Sequence, residues 1–133
     1  MSLQPINPAA LGAPKGYSNG MLGAAGARPL AVAGQIAWDS AQRIVSADFD
    51  VQFRQALANV LAVVRDTGGN AEHIASLTIY VTDKHEYLGT IKGVGAAYRE
   101  LMGKHFPAMA LVEVAALLED DAKVEIQALA FVP

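Results

Sequence analysis

The chain has 133 residues, of which 53% are hydrophobic and 17% charged, with a formal net charge of −3. That length suits a single domain over residues 1–133, and the hydrophobic fraction excludes intrinsic disorder. Apolar runs such as 56–64 stop far short of the ~20 residues that span a bilayer, and the absence of cysteine removes disulfides, thiolate metal sites and cysteine nucleophiles together.

Residues 5–29 are rich in Gly, Pro and Ala, with glycines at 16, 20, 23 and 26, and read as turns and short extended pieces. Leu30 to Trp38 reads as a strand. A helix follows, with Ser46 or Asp48 as N-cap. Phe53, Ala56, Leu57, Val60, Leu61 and Val64 recur in it at helical spacing, and Gly68-Gly69 ends it. From His73 to Thr82, Leu77, Ile79 and Val81 alternate with Ser76, Thr78, Tyr80 and Thr82, the period of a strand with one apolar and one polar face. Asp83 and Glu86 resemble a capping box. They open a second helix with Tyr87, Ile91, Val94, Tyr98 and Leu101 on one stripe, closed by Gly103. Gly93 and Gly95 inside it cost about 1 kcal/mol each against Ala, which predicts close packing against a sheet. After Pro107, Met109 to Ala116 and Lys123 to Val132 read as an antiparallel hairpin turning at Glu119, Asp120 and Asp121. The expected fold is α+β, with two helices stacked on one face of a mixed sheet.

In that arrangement one face of the last two strands carries Ala110, Val112, Val114, Ala116, Val124, Ile126, Ala128 and Ala130, which suits the helices. The other carries Met109, Leu111, Glu113, Ala115, Lys123, Glu125, Gln127, Leu129 and Phe131, joined by Ala33, Gln35, Ser76, Thr78 and Tyr80. This second face is too apolar for free solvation and too polar for a dry core. With both helices used on the first face, no part of the chain is left to cover it, which predicts a homo-oligomer with sheet faces packed together. Unpaired buried charge is expensive, so Glu113 and Glu125 each need an ion-pair partner, water or a chemical role.

Other chemical signals are weak. The ten basic residues are scattered, with no two adjacent and no basic stripe. Nucleic-acid affinity comes mostly from phosphate neutralisation, so nucleic acid is not an expected partner. His73, His85 and His105 lack metal-ligand spacing and read as surface or helix-end residues. There is no G-x-S-x-G and no phosphate-binding glycine loop. The opening residues have no basic start followed by an apolar core: the first Lys is Lys15, after Pro5, Asn7 and Pro8. The expectation is a soluble, cytoplasmic protein with no membrane association.

Six segments in register carry a resemblance. They are Pro14-x-Gly16-Tyr17-Ser18, Ala33-Gly34-Gln35, Gln52-x-x-x-Ala56-Leu57-x-Asn59-Val60, Thr78-Ile-Tyr-Val-Thr-Asp83, Pro107-Ala-x-x-x-Val112-Glu113-Val114 and Lys123-Val-Glu125-Ile. Together they resemble the RidA family, also called YjgF, with RutC as a relative. The resemblance implies a chorismate-mutase-like α+β fold and a homotrimer whose sheets line a central barrel, with three clefts between subunits. It also implies hydrolysis of reactive enamines and imines, such as 2-aminoacrylate and 2-iminobutyrate, to 2-keto acids and ammonia, with no cofactor. Endoribonuclease and translation inhibitor are older labels of the same family.

Such a site needs an Arg to grip the substrate carboxylate, a carboxylate to activate water and a Tyr from a neighbouring subunit. The resemblance implies that Tyr17 and Glu125 fill the last two roles, with Ala33, Gly34, Met109 and Leu111 lining the substrate pocket. The Arg is missing: Met109 stands in its place, Ala110 and Leu111 replace the following Ser and Cys, Ala33 replaces the Ser of Ser-Gly-Gln, and Gly95 replaces an Asn. Loss of a charge-assisted partner to a desolvated carboxylate costs several kcal/mol, ~10²-fold or more in binding. Arg28 or Lys15, in the loop near Tyr17, is the available substitute cation. Three readings follow. One is a hydrolase that keeps Glu125 but takes a less anionic imine or enamine. Another is a non-catalytic small-molecule-binding trimer. The third is the endoribonuclease, against which the absent basic stripe argues.

Overall fold

The helical recurrence of apolar residues becomes α1 (Phe49–Asp66) in the computed structural model, which describes residues 2–133. Its buried stripe is Phe49, Phe53, Ala56, Leu57, Val60, Leu61 and Val64, with one polar member, Gln52. Asp48 is the N-cap residue and makes no side-chain capping bond; Ser46 Oγ accepts the Asp48 N–H at 3.0 Å instead. Gly68 ends the run at φ +85°, a left-handed conformation that glycine adopts without penalty.

Before α1 lie β1 (Gln4–Ile6) and β2 (Gly20–Leu22), an antiparallel ribbon, then β3 (Arg28–Gln35). After it come β4 (Ile74–Val81), α2 (Lys84–Gly89), α3 (Ile91–Met102), β5 (Ala108–Glu113) and β6 (Val124–Val132). The main sheet has the order β3-β6-β4-β5, with β4 and β5 parallel and the other pairs antiparallel. This is the expected α+β fold with a mixed sheet. The α1 stripe packs with Ile74, Leu77, Ile79, Val81, Val124, Ile126, Ala128, Ala130 and Val132 in one contiguous core. No helix among the described residues is long and apolar enough to cross a membrane.

Several expectations need correction. The second helix is two, broken at Thr90, which closes α2 by donating its Oγ1–H to Glu86 O and stands before α3 at φ −118°. Asp83 caps α2 through the His85 N–H, but Glu86 does not complete a capping box, because its carboxylate pairs with Lys123 at 2.7 Å. Gly93 admits α1 rather than the sheet: a Cβ there would stand 2.5 Å from Asp50 Oδ2. Part of the open sheet face is also covered from within the chain, where Gly23, just after the ribbon, packs against the Phe131 ring.

A further correction concerns the last two strands, which are not a hairpin. β4, α2–α3 and β5 form a parallel crossover unit, as parallel strands require, and β6 then enters between β3 and β4. Another follows from it. In register, Met109 lies beside Leu77 and Leu111 beside Ile79, so both face the core side. Ala110 and Val112 are exposed on the open face instead. Alternation along a strand fixes which residues share a face; the partner strand decides which face that is.

Candidate functional site

The open face of the sheet is built by β6, β4 and the irregular end of β3. Glu125 sits on β6 opposite Tyr80 of β4, and Val112 of β5 lies beyond Tyr80. The Tyr80 hydroxyl donates to Gln127 Oε1 at 2.9 Å. On the other flank, the β3–β6 register passes from Val32 opposite Ala128 to Gln35 opposite Ile126. Ala33 and Gly34 therefore form a β-bulge, which re-aims the side chains around it. Two consequences follow. Gln35 shares the core side with Ile126 and lines a recess with Asn59 of α1, so its expected place on the open face is corrected. Gly34 comes against Glu125, whose Oε2 lies 2.5 Å from where a Gly34 Cβ would stand.

The structure thus brings together Ala33, Gly34 and Glu125. Tyr80 and Gln127 belong with them; the polar half of the β4 alternation was the signal for Tyr80. Among the described residues the Glu125 carboxylate makes no hydrogen bond or ion pair, the two ion pairs being Arg54–Glu100 and Lys123–Glu86. It is half-buried and is the only charged side chain among the open-face positions of the four strands, as described.

The other expected site residues lie elsewhere in the chain. Ser18 donates its N–H to Pro107 O at 3.1 Å and its Oγ–H to Phe106 O at 2.6 Å, docking the Tyr17 loop beside the start of β5. Tyr17 itself is exposed. From that level to Val112 is four residues of β5, about 13 Å, and two further strand spacings separate Val112 from Glu125. Met109 and Leu111 are half-buried on the opposite side of the sheet from Glu125. Arg28 is at the far end of β3, opposite Val132, and donates to Pro133 O from Nε (3.0 Å) and Nη2 (2.6 Å). It offers Glu125 no cation within the chain.

The second carboxylate is explained structurally. Glu113 accepts the Lys84 N–H at 3.0 Å, at the start of α2, rather than pairing with a Lys or Arg. His73 Nδ1 accepts the Asn70 N–H at 2.8 Å in a reciprocal cap, and His105 Nε2 meets Ile74 O at 2.7 Å, both as structural residues. A groove of about 650 Å³ runs between residues 44–47 and 115–123, with the Lys123–Glu86 pair on its wall, and does not include Glu125.

The sequence model of the Endoribonuclease L-PSP family matches residues 8–132. The chain belongs to this family, the YjgF/RidA/RutC proteins. A RutC family protein of Synechocystis is 31% identical over 140 aligned positions, covering 100% of this chain and 99% of that protein. Human 2-iminobutanoate/2-iminopropanoate deaminase is 28% identical over 104 residues, covering 77% of this chain and 72% of its own. A solved structure from Yersinia pestis, the Rid family protein YyfB of unknown function, matches with a TM-score of 0.85 at 26% identity, over 99% of this chain and 100% of its own.

Proposed function

We propose that this family member hydrolyses an imine or enamine metabolite less anionic than an imino acid, in clefts between the subunits of a homotrimer, with Glu125 handling the water. The condition of Glu125 carries this reading. Its carboxylate rests on the open face with no bond to any described residue, and its oxygens are not sealed from water. It is free to take a proton from water as the oxygen attacks the iminium carbon. The carboxyl then returns that proton to the nitrogen of the carbinolamine. The C–N bond breaks as the carbonyl forms, and the carbinol O–H proton passes through the carboxylate to the departing ammonia, so an iminium ion and water give a carbonyl compound and ammonium.

The substrate class follows from charge. A substrate carboxylate would meet Glu125 as a like charge, Met109 lies across the sheet and brings it no cation, and Arg28 is engaged with Pro133. The assembly reading draws on the exposed Val112, Leu129 and Tyr17. Tyr17 and Glu125 act on one substrate only if they come from different copies.

The test compares 2-iminobutyrate, generated in place, with a neutral imine, in wild type, Glu125→Gln and Met109→Arg. Expected are slow turnover of 2-iminobutyrate, faster turnover of the neutral imine, and loss of turnover with binding nearly intact in Glu125→Gln. A gain on 2-iminobutyrate in Met109→Arg would bring position 109 of one copy to the Glu125 of another. Rapid hydrolysis of 2-iminobutyrate by wild type would overturn the substrate class. Binding with no turnover of either substrate would favour the non-catalytic small-molecule-binding trimer. A monomer in light scattering at micromolar concentration would overturn the assembly.

A further inference from the structure

We infer that Gly34 is the positioning residue for Glu125: the space left by its missing side chain is where the carboxylate lies. This rests on the reading of Glu125 as the working group and adds what holds it in place.

The argument begins in the strand register. Three steps on β3, from Val32 to Gln35, answer two on β6, from Ala128 to Ile126, and the extra residue makes the bulge at Ala33-Gly34. The Gln35 side chain donates to Ala33 O at 3.1 Å across the bulge. A Cβ on Gly34 would meet Glu125 Oε2 at 2.5 Å, Cδ at 2.8 Å and Cγ at 3.0 Å, and these are its three nearest neighbours. The closest obstruction is therefore one flexible side chain. Gly34 is also absent from the glycines with positive φ, which are Gly12, Gly16, Gly26, Gly68 and Gly103. Its backbone suits any L residue, so glycine is required there for space and not for conformation. No other described group bonds the Glu125 carboxylate, so the glycine surface is the wall against which it rests. A methyl group at position 34 displaces a flexible carboxylate and leaves the sheet standing.

The experiment uses the full chain carrying Gly34→Ala, Glu125→Ala, both together, and Gly34→Ala with Glu125→Asp. Thermal unfolding and the ¹³C resonance of the Glu125 carboxyl carbon are read. Gly34→Ala is expected to lower Tm in the wild-type background. In the Glu125→Ala background it is expected to raise Tm, because Ala loses less conformational entropy than Gly in a strand. The Glu125 resonance moves in Gly34→Ala while those of Glu86 and Glu113 stay. The shorter Asp in Gly34→Ala/Glu125→Asp recovers part of the lost Tm. Where turnover is measurable, Gly34→Ala lowers kcat at least tenfold with KM little changed. If Gly34→Ala alone fails to fold, its recovery in the Glu125→Ala background answers the same question. The same sign of Tm change in both backgrounds, or an unmoved Glu125 resonance, overturns the inference. If only the hydrolase reading is wrong, the sign reversal and the resonance shift persist without turnover. If only the positioning is wrong, Gly34→Ala keeps wild-type turnover while Glu125→Gln loses it.

Discussion

The two faces of the sheet obey different rules. On the covered face, Val124, Ile126, Ala128, Ala130 and Val132 are buried under the helices, and a polar intruder is tolerated only when fully bonded. Gln52 is that intruder, 0% exposed. Its Nε2 donates to Ser46 O (2.8 Å) and Asp121 O (2.9 Å), and its Oε1 accepts the Lys123 N–H (2.9 Å). On the open face, Tyr80 and Gln127 bond each other and Glu125 bonds nothing in the described chain. Sealing a group from water forces its bonds to be made within the fold. A face left for another molecule or another copy carries its bonding capacity unspent.

That contrast predicts a graded series. Leu61→Ala, at 0% exposure beneath the sheet, should cost about 3 kcal/mol of stability in urea unfolding. Gln52→Ala should cost about 2 kcal/mol by the same measurement, because it strands the Lys123 N–H and two carbonyls. Tyr98→Phe, which removes the bond from the Tyr98 hydroxyl to His105 O while keeping the ring that stacks on Phe106, should cost about 1 kcal/mol.

Tyr98 also carries a pH signature. Burial pushes its phenol above the ordinary value of 10.0. The unfolded chain then ionises first, so this contribution is whole below that value and is lost as pH climbs toward the higher folded one. Tyr98→Phe should lack that part of the alkaline instability in a pH series of melts. At the bottom of the series, Glu125→Gln should leave Tm no lower than wild type, since no described bond is broken. A large loss of stability there would erase the distinction between the faces.

Much of this architecture was legible in the residues. The stripe of α1, the alternation of β4 and the left-handed stop at Gly68 are local patterns, and each appears where it was expected. The break at Thr90 was not legible, because Tyr87, Ile91 and Val94 keep helical spacing straight across it. Of the site, Glu125 on an uncovered sheet face was readable from alternation in β6 and β4. Its closeness to Gly34 was not, since a bulge of one residue leaves no period to detect. Met109 and Leu111 were expected beside Glu125 and lie across the sheet from it.

The sequence by itself determined the family, the α+β class, the helix stripes and the set of residues that share a face within each strand, because these depend on spacing along the chain. The tertiary structure decided strand order, which face of β5 meets the core, and the meeting of Gly34 with Glu125. Those are set by hydrogen-bonded register between segments distant in sequence, where a shift of one residue turns every side chain to the opposite face.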